Sequence, residues 1–271
     1  MTASYGNIAR TNGLKFEQLM VDHFNKIENK TKFVDKIKLL YPDITLDGFF
    51  VKCPSNKVES LIGKKTTRKA DIWYCYNDTK LGISVKMSNK GTQYQIISLN
   101  NFVKILETKY DSIMDIDTNT SFKKFLGLIE PSPQQLKLLQ VNRKPKLKYK
   151  KRFWMHEIDS QQQDLVINFL KNNYSNILKI ILSNGVCKNI EDTANIFIFN
   201  NDYYSKTKNI SPVVLLYDEL VSKISGECKI TNLGNLELSR FIGLQQKGSG
   251  NKYNKTCLQF KDRGSSKILM K

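Results

Sequence analysis

The chain has 271 residues and a formal net charge of +18, from 43 lysines and arginines against 25 aspartates and glutamates. This length allows a substantial hydrophobic core, and the charge favours a polyanionic partner such as nucleic acid or an acidic membrane surface. No apolar run approaches the roughly 18 residues that a membrane helix needs, and the N-terminal "MTASYGNIARTNG" lacks the apolar core of a signal peptide. We therefore expect a cytoplasmic protein without a membrane span.

The cysteines and histidines exclude several classes of site. The five cysteines are scattered and form no CxxC pair, which argues against a disulfide framework and against a zinc site. Only His23 and His156 are present, and neither a nucleophile elbow nor a Walker-type glycine loop occurs. Histidine-based hydrolysis and nucleoside triphosphate binding are therefore poorly supported.

The N-terminal half predicts helix, strands and helix in that order. "GLKFEQLMVDHFNKIENK" has helical spacing, and Glu17 lies inside or beside its apolar arc. That arc consists of Phe16, Met20, Phe24 and Ile27. Strand-like runs follow at about 70–76 and 81–87, and "YQIISLNNFVKILETKYD" returns to helical spacing.

The C-terminal half predicts an extended connection, a helical part and a β region. Prolines and the basic run "RKPKLKYKKR" favour an extended segment over 131–152, and Ser160 with Gln163 has the spacing of a helix capping box. From Cys228 the chain alternates and turns at glycine, which predicts two or three strands. We expect one domain, 1–271, with segments described as catalytic core (1–130), basic connection (131–152), helical and mixed part (153–227) and C-terminal β region (228–271).

The stretch "RKADIWYCYNDTKLGISVKMSNK" predicts a β-hairpin that carries polar residues on one face. A turn centred on Asp78 and Thr79 places Asp71 opposite Lys86 and Trp73 opposite Ser84. The other face would carry the apolar side chains of Ile72, Tyr74, Ile83 and Val85. A carboxylate that holds a divalent cation beside an ammonium that orients water suits phosphodiester hydrolysis. The charges alone are equally compatible with an ordinary cross-strand ion pair.

These residues resemble the PD-(D/E)xK nuclease motif: "AD", then twelve residues, then "SVK". The wider chain resembles the small type II restriction endonucleases of the HinP and Msp kind, which cut GCGC and CCGG, and is closer to HinP. The similarity covers four dispersed stretches, "GLKFEQLMVDHF", "KADI" with "SVKMSNKGTQYQ", "KKRFWMHEIDSQQQDLVINFLKNN" and "LQQKGSGNKYNKTCLQFK".

The resemblance implies an α/β restriction-endonuclease-like core, in which helices flank a mixed β-sheet, with a helical subdomain and a C-terminal β-hairpin region. It also implies Mg²⁺-dependent, sequence-specific cleavage of double-stranded DNA, GCGC being the expected site, and a cognate DNA methyltransferase that protects the host. In the implied roles, Asp71 binds the metal and Lys86 positions the attacking water.

The metal ligands are incomplete, because Ser84 stands where the motif usually has a second acid; in the HinP and Msp groups that position is likewise uncharged. Asp71, the Val85 carbonyl and water would hold Mg²⁺, which tolerates several waters. Glu17 is the candidate for a further carboxylate, and Glu59 is a weaker one. Ser84 would orient water or the metal's ligands.

Two segments offer side chains that can read base edges. One directly follows Lys86, and the other is a glycine-containing loop near the C-terminus. The predicted DNA-binding residues are Asn89, Lys90, Gln93 and Gln95 in the first segment, and Gln245, Lys247, Ser249, Asn251 and Lys252 in the second. Without the resemblance, the second segment is interpreted as a solvated basic hairpin.

Three functions besides a restriction endonuclease are compatible with the sequence. The chain would be a catalytically silent DNA-binding protein if the loss of the acid at position 84 had abolished cleavage. It would otherwise be a nuclease for branched or mismatched DNA, or a basic RNA-binding protein. For a two-fold symmetric site a dimer is common, but the resembling enzymes can act as one protomer on one site, so we expect a monomer or weak dimer.

Overall fold

The structure, a computed structural model, describes residues 5–63, 65–87, 93–148, 150–200, 210–247, 256–264 and 269. The chain forms two compact units, each assembled from separated segments. The first comprises Met1–Thr92, Leu182–Lys223 and Gly264–Lys271, and the second Gln93–Ile181 and Ile224–Arg263. The predicted catalytic segment, 1–130, is thus shared between the two units.

The first unit contains a mixed five-stranded sheet and two N-terminal helices. Its helices and strands are α1 (Tyr5–Phe24), α2 (Ile27–Ile37), β1 (Phe49–Lys52), β2 (Ile72–Tyr76), β3 (Thr79–Met87), β5 (Ile196–Asn200) and β6 (Val213–Leu216), and α8 (Tyr217–Ile224) follows β6. The strand order is β1-β2-β3-β5-β6. Neighbouring strands are antiparallel except β3 and β5, which are parallel.

The hydrophobic core of the first unit lies between helices α1 and α2 and one face of this sheet. Phe24, Phe33, Phe50 and Tyr74 stack in mutual ring contacts with centroids 4.8–5.8 Å apart. The predicted apolar face of the hairpin belongs to the same core, namely Ile72, Tyr74, Ile83 and Val85. This packing orients the opposite face of the hairpin away from the core.

Among the described residues, the second unit contains an antiparallel five-stranded sheet and five α-helices. These are β4 (Gln93–Ser98), α3 (Leu99–Tyr110), α4 (Ile116–Leu126), α5 (Pro133–Asn142), α6 (Ser160–Asn172), α7 (Tyr174–Leu178), β7 (Lys229–Ile230), β8 (Leu236–Ser239), β9 (Ile242–Gln246) and β10 (Cys257–Asp262). The strand order is β4-β10-β9-β8-β7. The predicted mixed α/β class is confirmed. No helix within the described ranges is long and apolar enough to cross a membrane.

Several element boundaries differ from the predictions. The first helix ends at Phe24, and Ile27, predicted on its apolar arc, begins α2 and is 63% exposed. Residues 94–98, predicted as part of a helix, belong to β4, and α3 begins only at Leu99, capped by Ser98. Helix α6 is capped by Asp159 instead of Ser160.

The segment 131–152 is not an extended connection, since it contains helix α5. Pro133 occupies the first turn of the helix, where its missing N–H costs nothing, and Ser132 with Gln135 forms a capping box. Two cations of the basic run are buried: Arg143 forms an ion pair with Glu157 at 2.7 Å, and Arg152 stacks on Trp154. These two residues stabilise the fold and do not form a solvated charge run.

Candidate functional site

The β2–β3 hairpin turns at Asn77 and Asp78. Both residues have positive φ, 41° and 59°, a conformation that asparagine and aspartate adopt more readily than most residues and that two-residue hairpin turns require. The turn is therefore one residue earlier than predicted, and the pairing register differs by two: Trp73 lies opposite Gly82, not Ser84. A shift of two residues leaves every side chain on its predicted face, because side chains alternate with period two.

Asp71 lies where the regular pairing of β2 with β3 ends. Its N–H donates to the Ile83 carbonyl at 2.8 Å, and its own carbonyl accepts from the Cys53 N–H at 3.1 Å. Its carboxylate accepts the Val85 N–H at 2.7 Å. The Asp71 carboxylate thus accepts the Val85 N–H in place of a backbone carbonyl of the neighbouring strand. This hydrogen bond holds Asp71 firmly against β3.

Three donors of β3 converge on one oxygen of Asp71. Besides the Val85 N–H, Asp71 Oδ2 accepts from Ser84 Oγ at 3.0 Å and lies 3.5 Å from Lys86 Nζ. The side chains of Asp71 and Lys86 are 27% and 14% exposed. Sequence reasoning paired Asp71 directly with Lys86; in the structure the carboxylate reaches the predicted group of Ser84, Val85 and Lys86 together. Asp71 Oδ1 accepts no hydrogen bond from any described residue.

The rest of this hairpin face is covered by the short helical turn Ile190–Asp192 and the residue that follows it. Trp73 Nε1 donates to the Glu191 carbonyl at 2.8 Å. A Cβ at Gly82 would lie 1.8 Å from the Thr193 carbonyl oxygen, so only glycine allows this close approach. The cover leaves the end of the hairpin that carries Asp71 and Lys86 partly accessible.

Glu17, on helix α1, is electrostatically coupled to this site. Burial, followed by the nearby Asp71 carboxylate, raises the pKa of Glu17, while Lys52 and Lys86 oppose the shift. Lys52 Nζ lies 3.2 Å from Glu17 Oε2. Glu59, the weaker candidate, instead pairs with Lys188 at 2.9 Å on an exposed surface.

The donor set fits a hard divalent cation. The Asp71 carboxylate disfavours the charged form of Glu17, and a bound cation would relieve this repulsion. Within the described residues no three His, Cys, Asp or Glu side chains form a metal-binding group. Mg²⁺ in particular is held by one or two carboxylates, with waters and substrate phosphate as further ligands.

Sequence reasoning missed Lys69, a second lysine at this site. Lys69 is 9% exposed, and a Cβ at Gly185 would lie 3.6 Å from its Cδ. Burial and then the Lys86 ammonium lower the pKa of Lys69 to about 7, against the opposing effect of Asp71. Only its position two residues before Asp71 hinted at this in the sequence.

The second unit brings two of the predicted DNA-binding residues to one face of its sheet. Gln245 lies on that face, and Gln93 hydrogen-bonds the same neighbour, Gln259, as Gln245 does. Lys247 directly follows the end of β9 at Gln246. Gln95 lies opposite Phe260, on the buried face, because a register irregularity between Phe260 and Lys261 separates it from Gln93. Asn89, Lys90, Ser249, Asn251 and Lys252 lie outside the described residues.

This face of the second sheet, which we call the amide-lysine face, is polar and basic. Glu237 forms ion pairs with Lys229 and Arg263. A Cβ at Gly243 would lie 2.4 Å from Arg263 Nε, so the arginine side chain crosses β9 at this glycine. The opposite face of the same strands is buried and apolar: Ile97, Leu236, Leu244, Leu258 and Phe260.

The comparisons with known proteins bear on the fold. No protein-family model matches the chain, and no curated protein matches it. Among solved structures, the chain is similar to the restriction endonuclease MspI in complex with its cognate DNA, with 16% identity and a TM-score of 0.51 over 91% of this chain and 87% of that one. At this identity the likeness establishes the fold, and the predicted restriction-endonuclease-like fold is confirmed.

Proposed function

We propose that the chain is a type II restriction endonuclease of the PD-(D/E)xK kind. It would hydrolyse phosphodiester bonds of double-stranded DNA at a short palindromic GC-rich site, GCGC being the first expectation. The observation that carries the proposal is the convergence of Ser84, Val85 and Lys86 on one oxygen of Asp71. The fold that holds this group is similar to that of MspI, whose structure contains its cognate DNA.

Asp71, Glu17 and the Val85 carbonyl would hold Mg²⁺ in the complex with DNA. When bound, the ion supplies Lewis acidity at the phosphate and a water of lowered pKa. Val85 and Ser84 fix Asp71 Oδ2 by hydrogen bonds, so the carboxylate enters the complex already oriented. Oδ1, which accepts nothing from the described residues, would be free for the ion.

Lys86 is assigned to the attacking water. Its ammonium lies 3.5 Å from Asp71 Oδ2. It would therefore reach a water molecule beside the ion that Asp71 would hold. There it would orient the water by hydrogen bonding and offset the negative charge that develops on the phosphate. Because Lys86 is only 14% exposed, water would screen this interaction little.

The partners follow from the same proposal. The net charge of +18 and the amide-lysine face suit a DNA duplex, whose affinity for a protein is governed largely by phosphate neutralisation. A cognate methyltransferase would protect the host site and need not bind this chain. We expect the enzyme to be cytoplasmic, where it would encounter its DNA substrate. We also expect it to act as a monomer or weak dimer.

Cleavage of plasmid DNA tests the proposal. Incubation with Mg²⁺ should yield discrete fragments, EDTA should prevent cutting, and sequencing of the fragment ends should return one short palindrome. Heterogeneous ends at branched or mismatched DNA would instead support a structure-specific nuclease.

A catalytically silent DNA-binding protein is the second candidate, because Ser84 supplies a neutral hydroxyl where an acid is usual. It would retain sequence-selective binding of duplexes and leave the plasmid intact with Mg²⁺ or Mn²⁺. Selective binding without any cutting would therefore replace the proposed enzyme by this binding protein.

A further inference from the structure

Three glutamine side chains form a continuous hydrogen-bonded chain across the amide-lysine face. β10 lies between β9 and β4 in the sheet, and its Gln259 lies directly opposite Gln245 of β9. Gln245 Nε2 donates to Gln259 Oε1 at 3.1 Å, and Gln259 Nε2 donates to Gln93 Oε1 at 2.7 Å. The chain therefore has a direction, running from Gln245 to Gln93.

This direction determines which atoms remain at the two ends. An amide has a donor end and an acceptor end. Because Gln93 uses its oxygen to accept from Gln259, its Nε2 donor remains available; because Gln245 uses its nitrogen to donate, its Oε1 acceptor remains available. Neither atom has a hydrogen-bond partner in the described part of the chain. Gln93 is exposed, and Gln245 is half-buried.

The surroundings of the glutamine chain suit a nucleic acid. Lys261, two residues beyond Gln259 on the same strand, lies on the same face, and Lys247 directly follows β9. Arg263 crosses this face at Gly243. Cations beside a fixed row of amide groups provide phosphate contacts next to groups that distinguish base edges.

We propose that Gln259 is a positioning residue for base recognition, an inference that rests on the proposed function. By binding both neighbours, Gln259 would make Gln93 present a donor, which suits the O6 and N7 acceptors of guanine. It would make Gln245 present an acceptor, which suits the exocyclic amine of cytosine. Gln259 itself need not touch a base.

Two substitutions at this position would reverse the two ends separately. The carboxylate in Gln259→Glu only accepts, so it keeps the bond from Gln245 but forces Gln93 to turn its nitrogen inward and present oxygen. The ammonium in Gln259→Lys only donates, so it keeps the bond to Gln93 but forces Gln245 to turn its oxygen inward and present nitrogen. Each variant should therefore change the base preference at a different position of the bound sequence.

The experiment selects bound sequences from a randomised duplex pool, in a Lys86→Ala background so that the DNA is not cut. We expect Gln259→Glu to lower the preference for guanine at one position about tenfold, and Gln259→Lys to lower the preference for cytosine at another by a similar factor. Gln161→Glu and Gln161→Lys, on the exposed start of α6 in the same unit, make the same charge changes and should leave every preference unchanged.

The outcomes separate this inference from the function on which it rests. If the parent protein selects a sequence and both Gln259 variants select the same one, or lose affinity without any change in base preference, Gln259 does not set the amide orientations and the inference alone is wrong. If the parent protein selects no sequence, both the inference and the proposed sequence-specific function are wrong.

Discussion

The two sheets of this protein carry their polar groups in opposite ways. In the first sheet, three donors from consecutive residues of β3 converge on one oxygen of Asp71. In the second sheet, three glutamines from different strands form an extended row beside lysines and an arginine. The first arrangement brings opposite charges to one partly buried point, and the second spreads neutral and cationic groups over a surface.

The difference matches two different chemical needs. Phosphodiester hydrolysis requires several groups within hydrogen-bond reach of one phosphorus atom, whereas recognition of a base sequence requires groups spaced along the DNA. Substitutions in the first sheet should therefore affect the cleavage rate, and those in the second should affect affinity and base preference. Three sets of variants test this division, and a fourth tests the stability of the first unit.

The largest effect is expected for Lys86→Ala. Because Lys86 supplies the ammonium that pairs with Asp71, cleavage should fall by about 1000-fold, while DNA affinity changes little. Lys80→Ala is the matched control, since Lys80 lies on the same strand and the same face but its ammonium lies over Trp73. Fragment yield over time and a binding titration measure the two quantities; normal cutting by Lys86→Ala would remove Lys86 from the mechanism.

A smaller effect is expected for Glu17→Gln. If Glu17 helps to hold the ion, the Mg²⁺ concentration for half-maximal cleavage should rise by about tenfold to a hundredfold. Glu28→Gln, which removes a carboxylate from the exposed surface of α2, should leave it unchanged. A lower cleavage rate with an unchanged Mg²⁺ requirement would show that Glu17 only anchors Lys52.

In the second sheet, Lys261→Ala should weaken DNA binding by about fivefold without changing the cleavage rate of bound DNA. A lost phosphate contact also makes the salt dependence of affinity shallower by about one unit in the logarithmic slope. Lys104→Ala, on α3 of the same unit, is the control. An unchanged salt slope for Lys261→Ala would place DNA binding elsewhere than on the amide-lysine face.

The smallest effect concerns stability. The pKa of Lys69 is lowered from 10.5 to about 7, so between these values the unfolded chain binds more protons and the free energy of unfolding rises with pH. Below pH 7 the folded protein bears the full cost of a buried ammonium. Since each pKa unit corresponds to about 1.4 kcal/mol, Lys69→Met should raise stability at pH 6 by at least about 1 kcal/mol, or about 2–4 °C in Tm.

The gain from Lys69→Met should shrink as the pH rises from 7 towards 10.5, because the wild-type lysine loses its charge in the folded state over this range and is neutral in both states only above it. Thermal unfolding at a series of pH values measures it, with the exposed Lys65→Met as control. If the Tm difference between Lys69→Met and the wild type did not change with pH, the Lys69 ammonium would not be destabilising the folded protein.

Sequence reasoning succeeded where the pattern is local. The alternation in the hairpin predicted both its apolar face and its polar face, even though the turn was misplaced by one residue. It failed at α5, because three prolines favoured an extended segment although Ser132 and Gln135 form a capping box. It also failed at Arg143 and Arg152, whose burial depends on Glu157, Phe125 and Trp154. In the sequence both arginines belong to the basic run for which an extended segment was predicted.

The placement of the glutamines was the least predictable feature. Residues 93 and 95 would share a face in a regular strand, and only the pairing of β4 with β10 shows the irregularity that separates them. The sequence did not point to Gln259, because its hydrogen-bond partners in the amide chain are far from it along the sequence. Gln93, for example, is 166 positions away.

Residue order and composition are sufficient to place Asp71, Ser84 and Lys86 on one face, because side chains alternate with period two along each strand and a register shift of two residues preserves that alternation. They also fix the strong positive charge. Tertiary structure alone decided that Glu17 is coupled to Asp71, that Lys69 is buried beside them, and that Gln259 connects Gln93 with Gln245. These relations depend on helix packing and on pairing between distant strands, which no local periodicity specifies.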